Sequence, residues 1–428
     1  MMTKKPLTNK EWVSKRKIIA AGIIGNILEY YDFALIGFLA VIMGNLFFPS
    51  HDPFLSLLGA FGAFAAGMIM RPIGALIFGH IGDRIGRRFA LMSSLIMMAF
   101  PTFLIGFLPT YNQVGMAAPI LLLLLRMIQG LSVGGEYASS IVYLVEQSPQ
   151  KHQNLYGSFV SVGAKIGMAI GSGFCGILLW YIGDEAMAEW GWRIPFWSSI
   201  IIASAGLYLR RNLTDDYIPN EDRTIPSVAI LKYHRKEFLQ FLTIASSIWI
   251  FYYTVFIYLP IWLEWNAGLS KVQAGQINTI SIAAAIILIP GMAIIADKIG
   301  ALHLMKITSI LVVGMVFPLF YGMSVGGYWG ALVGTIGLVL LLCSFQAPIF
   351  ASTVNALSHH GYRASFTALI LGSAAGIVGG VTPALMTTLT EISGDPFAPA
   401  FVIIITSAIG SVAVRSVHLN LIKNDFLR

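Results

Sequence analysis

Five charged residues lie deep inside apolar segments that are long enough to cross a membrane. Glu29 and Asp32 belong to the first segment, and Arg71, Arg126 and Lys165 belong to the second, fourth and fifth. A charge at the bilayer centre costs about 2.5–3.5 kcal/mol on insertion scales, so such groups usually face a protein interior or a wet cavity. Glu29 and Asp32 are spaced i, i+3, so they share one face of a helix. The pattern predicts a polar chamber lined by charges of both signs.

The chemistry of these side chains suggests separate roles. Burial disfavours the ionised form of a carboxylate, so Asp32 and Glu29 are the candidates for carrying a proton. Arg126 and Lys165 are the candidates for holding a substrate carboxylate, because arginine offers a bidentate fork and lysine a point charge. The alternative is that the charges form structural ion pairs, and Arg71 is the first candidate for that use.

Aromatic and amide groups extend the predicted substrate site. The second half of the sequence has few deep charges and offers aromatic residues instead, such as Tyr252 and Tyr253. An aromatic face can hold an ammonium group through cation–π contact, worth about 2 kcal/mol once water is excluded. Packing in the core or against lipid is the alternative use of such residues. We place five residues in this outer set: Tyr31, Arg71, Tyr252, Tyr253 and Gln346.

Composition excludes several classes of protein. The 428 residues are 57% hydrophobic and 11% charged, whereas charged residues approach a quarter of a soluble domain. The net charge of +7 does not indicate nucleic acid, because Lys and Arg concentrate in short loops and at the termini. We expect no enzyme, metal site or cofactor, since no Cys/His spacing suits zinc. Cys175 and Cys343 fall inside apolar segments and are predicted to be buried thiols.

Hydropathy predicts an all-α membrane protein with twelve transmembrane helices in two pseudo-symmetric six-helix bundles. The predicted domains are residues 1–211 and 238–428, joined by a polar linker at 212–237 that contains Pro219 and Pro226. The predicted spans are 17–45, 54–81, 89–109, 116–146, 153–182, 192–211, 238–265, 272–296, 303–325, 327–357, 363–391 and 397–416.

The distribution of basic residues predicts the orientation. With the N-terminus inside, cytoplasmic segments and the adjoining helix ends hold 22 of the 27 Lys and Arg residues, and outside loops hold Arg193 and Lys271. The positive-inside rule then places both termini in the cytoplasm, in a multi-pass protein of the plasma (inner) membrane.

A short basic loop joins the second and third spans. It runs Gly79-His80-Ile81-Gly82-Asp83-Arg84-Ile85-Gly86-Arg87-Arg88, and a partial copy follows at 293–300, with Asp297 placed 214 positions after Asp83. A second half that repeats the first in the same order indicates a duplicated bundle, as in one large class of solute transporters. The copy lacks the trailing basic pair, so we expect no matching latch there.

Three further motifs, read with this loop, resemble a known family. They are Gly25-Asn26-Ile27-Leu28-Glu29-Tyr30-Tyr31-Asp32-Phe33, Arg126-Met127-Ile128-Gln129-Gly130-Leu131-Ser132-Val133-Gly134-Gly135-Glu136-Tyr137 and Trp190-Gly191-Trp192-Arg193-Ile194-Pro195-Phe196. Over nearly the whole chain the sequence resembles the metabolite:proton symporter branch of the major facilitator superfamily, which includes proline/betaine, α-ketoglutarate, shikimate and citrate carriers. The resemblance implies alternating access, a central site between two halves and coupling to protons.

The resemblance also implies a gate at the basic loop. In related carriers this cluster latches the inner gate, a role that we carry onto Gly79, Gly82, Asp83, Arg84, Gly86, Arg87 and Arg88. A positive loop that only sets topology is the plain alternative, and the two uses do not exclude each other. Glu136 and Glu146, further along the fourth span, are predicted partners for the loop arginines.

The sequence leaves two classes of substrate open. A cavity with balanced acid and base and an aromatic seventh helix favours a zwitterion such as proline or glycine betaine. Unpaired Arg71, Arg126 and Lys165 would instead favour a mono- or dicarboxylate such as α-ketoglutarate. The expected partners are a small-molecule substrate, protons and the lipid bilayer, with no nucleic acid, and the expected state is a monomer.

Overall fold

Twelve long helices make up most of the structure. The computed structural model describes residues 9–211, 225–357 and 361–426, and no β-strand occurs within them. The helices are α1 Asn9–Phe47, α2 Pro53–Arg84, α3 Arg87–Ile105, α4 Ala117–Glu146, α5 Gln153–Ala186, α6 Arg193–Arg210, α7 Arg235–Asn266, α8 Lys271–Ile299, α9 Ala301–Val325, α10 Gly327–Ala356, α11 Arg363–Ser393 and α12 Ala398–Phe426.

Among the described residues, eleven of these helices are long and apolar enough to cross a membrane. The remaining helix is α6, which covers the predicted span 192–211. Its 18 residues include two arginines and three serines, which lower its apolar content. It nevertheless packs against α1 and α3, so the sixth predicted position in the bundle is filled by a helix.

The helix contacts repeat with a shift of six helices. In the first half α1 packs on α5 and α6, α2 on α4, and α3 on α6. In the second half α7 packs on α11 and α12, α8 on α10, and α9 on α12. This repetition is what a duplicated bundle produces, and the two halves meet mainly where α2 contacts α11 and α5 contacts α8.

The predicted linker is only partly described. Residues 212–224 of the predicted segment 212–237 lie outside the described residues. The remainder contains a short helix, Pro226–Tyr233, which contacts α2 and α11, and the first turn of α7, which begins at Arg235. The boundaries of the two domains stay a prediction.

Two helices of the second half contain a wide, π-helical turn near the middle of the bundle. In α7 this turn is Thr254–Tyr258, and in α11 it is Ala374–Gly379. A Cβ atom at Gly379 would lie 2.5 Å from the ring of Tyr253, so glycine makes room there for the aromatic side chain. Such turns occur frequently at functional sites. The turn in α11 makes room for Tyr253, and the turn in α7 contains Phe256.

Candidate functional site

Four of the five deep charges form two buried ion pairs. Arg71 Nη2 donates to Glu29 Oε1 at 3.1 Å, and Arg126 Nη1 donates to Asp32 Oδ2 at 2.6 Å. All four side chains are less than a tenth exposed. The four side chains therefore face the interior of the protein, as predicted. The structure also shows the pairing of Arg71 that the alternative interpretation expected.

The two carboxylates differ in how their oxygens are bonded. Asp32 Oδ1 also accepts from Gln129 Nε2 at 3.0 Å and from Thr102 Oγ1 at 3.4 Å. Glu29 Oε2 is buried and, among the described residues, has no hydrogen-bond partner. The Asp32 carboxylate thus accepts from more donors than the Glu29 carboxylate does.

Two small cavities meet at Arg71. One is lined by Tyr30, Arg71, Tyr137, Trp249 and other residues, and lies where α1, α2 and α4 face α7 and α11. The other lies within the first half beside the Asp32–Arg126 pair, with Arg71 in its wall as well. Each has a volume of about 20 Å³, room for a water molecule. Where a single chamber was predicted, the described residues thus line two narrow spaces that share one arginine.

Lys165 is bound by aromatic rings. Its Nζ lies 4.0 Å from the centroid of the Phe256 ring and 4.8 Å from that of Tyr252. It also donates to the hydroxyl of Tyr252 at 3.5 Å. No carboxylate of the described chain forms an ion pair with this ammonium group. The side chain of Lys165 thus extends from α5 to α7, and its ammonium group lies against the predicted aromatic face.

Two predicted substrate residues, Tyr31 and Gln346, make no hydrogen bond to the deep charges within the described chain. Tyr31 faces α6, where its hydroxyl donates to the carbonyl of Pro195 at 2.8 Å and contacts Ser198 Oγ at 2.7 Å, so its prediction as a substrate residue conflicts with the structure. Successive helical positions are about 100° apart, which turns Tyr31 away from the face of Glu29 and Asp32. Gln346 is buried in α10, and within the described residues it makes no hydrogen bond to the deep charges.

The basic loop closes one end of the bundle, which we call the loop end. Asp83, at the end of α2, accepts hydrogen bonds from the backbone N–H groups of Ala364 (3.0 Å) and Ser365 (2.8 Å) at the start of α11. Those N–H groups have no partner within their own helix and carry partial positive charge, so they bind an anion well. Asp83 thus links the first half to the second.

The glycines of the loop permit this close approach. A Cβ atom at Gly79 would lie 2.7 Å from Ser365 Cα, and one at Gly82 would lie 2.9 Å from the Cβ of Ala364. Glycine at these two positions therefore allows α2 to lie close to α11. Gly86 has a φ of 135°, which a residue with a side chain rarely adopts, and it forms the turn into α3.

Arginines surround the same contact. Arg87 donates to Asp83 Oδ1 at 3.0 Å and, through Nε and Nη2, to both oxygens of Glu146 at 3.0 Å. Arg363 of α11 also reaches Glu146, at 3.4 Å. Arg88 Nη2 donates to the carbonyl of Arg211 at 2.5 Å. The predicted contact of Glu146 with a loop arginine is present, and it extends across the interface between the halves.

The second copy of the motif also makes a contact between the two halves. Asp297, near the end of α8, accepts from the backbone N–H groups of Asn154 (3.0 Å) and Leu155 (3.1 Å) and from Asn154 Nδ2 (2.9 Å). The sequence offered no reason to expect a matching contact at this copy, and the structure shows one. The missing bases are not needed, because the partner is the start of helix α5.

Comparisons with known proteins agree with this architecture. The family model described as Major Facilitator Superfamily matches residues 22–387. The chain belongs to the major facilitator superfamily. It is 31% identical over 415 residues to the proline/betaine transporter of Salmonella typhimurium (strain LT2), covering 93% of this chain and 82% of that protein. It is also 31% identical to the glycine betaine/proline/ectoine/pipecolic acid transporter OusA of Dickeya dadantii (strain 3937), covering 92% of this chain and 81% of that protein.

A solved structure shows the same fold. The proton:xylose symporter XylE, bound to 6-bromo-6-deoxy-D-glucose, aligns with a TM-score of 0.76 at 16% identity, and the alignment covers 95% of each chain. The protein is therefore a multi-pass membrane transporter of this superfamily and not an enzyme.

Glu136 of this transporter does not contact the loop arginines, so that predicted contact is wrong. It pairs instead with Arg210 at the end of α6, with 3.0 Å between its Oε2 and Nη1 of the arginine. Ser94 and Ser140 donate to the same carboxylate at 2.5 and 2.9 Å, and Arg210 also donates to the carbonyl of Ala21 at 3.0 Å. The group ties α1, α3, α4 and α6 together within the first half.

Removal of the arginine from this network should destabilise the transporter. Arg210 is fully buried, so Arg210→Met leaves the Glu136 carboxylate buried without its counter-charge. Breaking a buried pair in this way typically costs about 3–5 kcal/mol. We expect a marked drop in the thermal unfolding temperature of the purified protein, largely restored by adding Glu136→Gln. Arg211→Met is the matched control, since that adjacent side chain is exposed, and an equal loss there would contradict the explanation.

Several contact residues were not assigned to the site from the sequence. Gln129 lies three positions after Arg126 on the same helix face, so helical periodicity could have identified it. Phe256 lies four positions after Tyr252, so the same helical periodicity places the two rings on one face of α7. Thr102 gave no such signal, because a single threonine in an apolar helix is unremarkable.

Proposed function

We propose that this transporter is a proton-coupled symporter that imports a small zwitterion of the proline or glycine betaine type by alternating access. The observation that carries the proposal is the pairing of the deep charges. Two carboxylates and two arginines neutralise each other, and a lysine and an aromatic face remain. The similarity to proline/betaine transporters supports the same class of substrate.

The pairing also bears on the alternative substrate. A site for a mono- or dicarboxylate would be favoured by unpaired Arg71, Arg126 and Lys165. Arg71 and Arg126 each have a carboxylate partner instead. A substrate that brings both an anion and a cation can replace a partner on each side, whereas a dicarboxylate adds two negative charges to a site with one remaining base. Charge balance therefore favours the zwitterion.

Proton coupling follows from competition for Arg126. The substrate carboxylate and the carboxylate of Asp32 are chemically alike, so each can occupy the guanidinium fork. When the substrate takes the fork, Asp32 loses its closest cation and its ionised form becomes less stable, which favours protonation. When the proton leaves, Asp32 returns to Arg126 and displaces the substrate. Glu29 and Arg71 offer a second pair of the same kind.

The loop end is the gate in this proposal. The Asp83 and Asp297 contacts hold the two halves together at one end, and the basic residues at that end support its placement on the cytoplasmic side. With this gate closed, the substrate enters from the opposite face of the plasma (inner) membrane. Opening then requires both aspartates to leave the helix starts that they cap.

Uptake into proteoliposomes tests the function. We expect labelled proline or glycine betaine to accumulate under an imposed gradient that is acidic outside, and accumulation to stop when a protonophore removes the gradient. Labelled α-ketoglutarate serves as the competing substrate in the same preparation. Accumulation of α-ketoglutarate alone would contradict the proposal for a zwitterion, and uptake unaffected by the protonophore would contradict coupling to protons.

A further inference from the structure

Lys165 differs from the other deep bases in what holds it. Arg71 and Arg126 each bind a carboxylate, while the ammonium group of Lys165 lies against the faces of Phe256 and Tyr252. Lys165 is 2% exposed, so this contact is shielded from water. Cation–π attraction grows when water is excluded, which makes the two rings a site for an ammonium group.

These rings adjoin the cavity between the two halves. The ring of Trp249 lines that cavity, and its centroid lies 5.1 Å from the centroid of Tyr252. The centroid of Phe256 lies a further 5.0 Å from Tyr252. Phe256 belongs to the π-helical turn 254–258 of α7, a feature that often marks a functional position. The rings that hold Lys165 are therefore continuous with the aromatic wall of this cavity.

We propose that Lys165 is an internal substitute for the ammonium group of the substrate, and that it sets the preference for zwitterions by giving up the aromatic site only to a ligand that also carries a carboxylate. This inference rests on the proposed function. The substrate ammonium takes the faces of Phe256 and Tyr252, and the flexible stem of Lys165 lets its own ammonium move to the substrate carboxylate.

This exchange explains selectivity without a steric filter. A cation that has no carboxylate must displace Lys165 and leaves the lysine charge buried without a partner, which is costly. An anion that has no ammonium group cannot replace Lys165 on the rings, so the lysine stays there and does not bind the carboxylate of that anion. A zwitterion satisfies both groups at once. Selectivity therefore comes from the cost of an unpaired charge rather than from the size of the pocket.

Binding of tetramethylammonium chloride to the purified full-length protein tests the exchange, with the fluorescence of Trp249 and the other tryptophans as the signal. This probe carries an ammonium group and no carboxylate. We expect weak binding to the unmodified protein. In Lys165→Met the rings are vacant, so affinity for the probe should rise by about tenfold or more, equivalent to about 1.4 kcal/mol. The ratio of glycine betaine affinity to probe affinity should fall by at least the same factor.

Three further variants make the result specific. Adding Phe256→Leu to Lys165→Met should cancel the gain, because one of the two faces is gone. Lys165→Gln should reproduce the gain if charge is the cause, and thermal unfolding of each variant reports whether it is folded. The matched control is Lys232→Met, since the Lys232 ammonium lies 5.1 Å from the ring of Tyr233 at an exposed position, and it should leave probe affinity unchanged.

The outcomes separate this inference from the proposed function. Unchanged or weaker binding of tetramethylammonium in Lys165→Met, or a gain that survives Phe256→Leu, overturns the exchange even when the unmodified protein transports zwitterions. Failure of the unmodified protein to take up any zwitterion under a proton gradient overturns the proposed function, which is measured by transport and not by binding of the probe.

Discussion

Asp32→Asn is expected to abolish proton-driven accumulation while exchange of substrate across the membrane continues. A gradient of one pH unit supplies about 1.4 kcal/mol for each proton, which supports about tenfold accumulation. Asparagine cannot take up or release that proton, so the inside-to-outside ratio should fall to about one. Counterflow, in which labelled substrate exchanges for unlabelled substrate without a gradient, does not need the proton and should remain measurable.

The contacts of Asp32 explain why asparagine is the suitable replacement. Its side-chain oxygen can still accept from Gln129 and Thr102, which contact Asp32 at 3.0 and 3.4 Å. The change does leave Arg126 without a counter-charge, and a broken buried pair costs about 3–5 kcal/mol in the empty protein. A substrate carboxylate can restore that charge, so the apparent affinity for substrate in counterflow should rise rather than fall.

Glu29→Gln is the matched variant, because it makes the same chemical change in the neighbouring pair. Loss of accumulation in both variants would mean that the two carboxylates act together. Loss in Glu29→Gln with normal accumulation in Asp32→Asn would assign the proton to Glu29 and contradict the competition for Arg126. The free oxygen Oε2 of Glu29 makes this comparison necessary.

The sequence was sufficient for those features that depend on local pattern. Apolar blocks predicted the helices, and depth within the blocks identified the charged residues that the structure buries. It could not identify the partner of each charge. Glu136 and Arg210 are 74 positions apart, and their contact depends on how α4 and α6 are rotated and packed. Helical phase, in contrast, was available from the start and would have excluded Tyr31 from the face of Asp32.

The latch of the second half shows a different limit. The expectation of no latch rested on the missing basic pair after Asp297, because a carboxylate usually pairs with an arginine or lysine. Its partners are backbone N–H groups at the start of α5, which any sequence provides and no composition reveals. Seen in the structure, Asp83 and Asp297 have the same role on opposite sides of the pseudo-symmetric bundle. Each belongs to one half and caps the first turn of a helix in the other.

Removal of both aspartates should open the loop end. A carboxylate at a helix start is worth up to about 2 kcal/mol in partly buried geometry, so Asp83→Ala or Asp297→Ala alone should shift the closed–open equilibrium by up to about thirtyfold. The double variant should shift it by about the product of the two factors, since the sites lie on different helix pairs. We expect it to populate the open state and to lose most of its uptake.

Spin labels can measure this opening. Lys151→Cys and Lys298→Cys place labels at exposed positions on either side of the α5–α8 contact, once Cys175 and Cys343 are replaced by alanine. Electron–electron distances between the labels should be short in the parent protein and distributed toward longer values in the double latch variant.

A local cap provides the control for the latch experiment. Asp395 Oδ1 accepts from the backbone N–H of Phe397 at 2.8 Å, beside the start of α12 and within its own half. Asp395→Ala removes a carboxylate from a helix start, as the latch variants do, but breaks no contact between the halves. It should therefore leave the label distances unchanged. Equal broadening in this control, or unchanged distances in the Asp83 and Asp297 double variant, would contradict the assignment, because the closed end would then be held by the apolar contacts of α2 with α11 and α5 with α8.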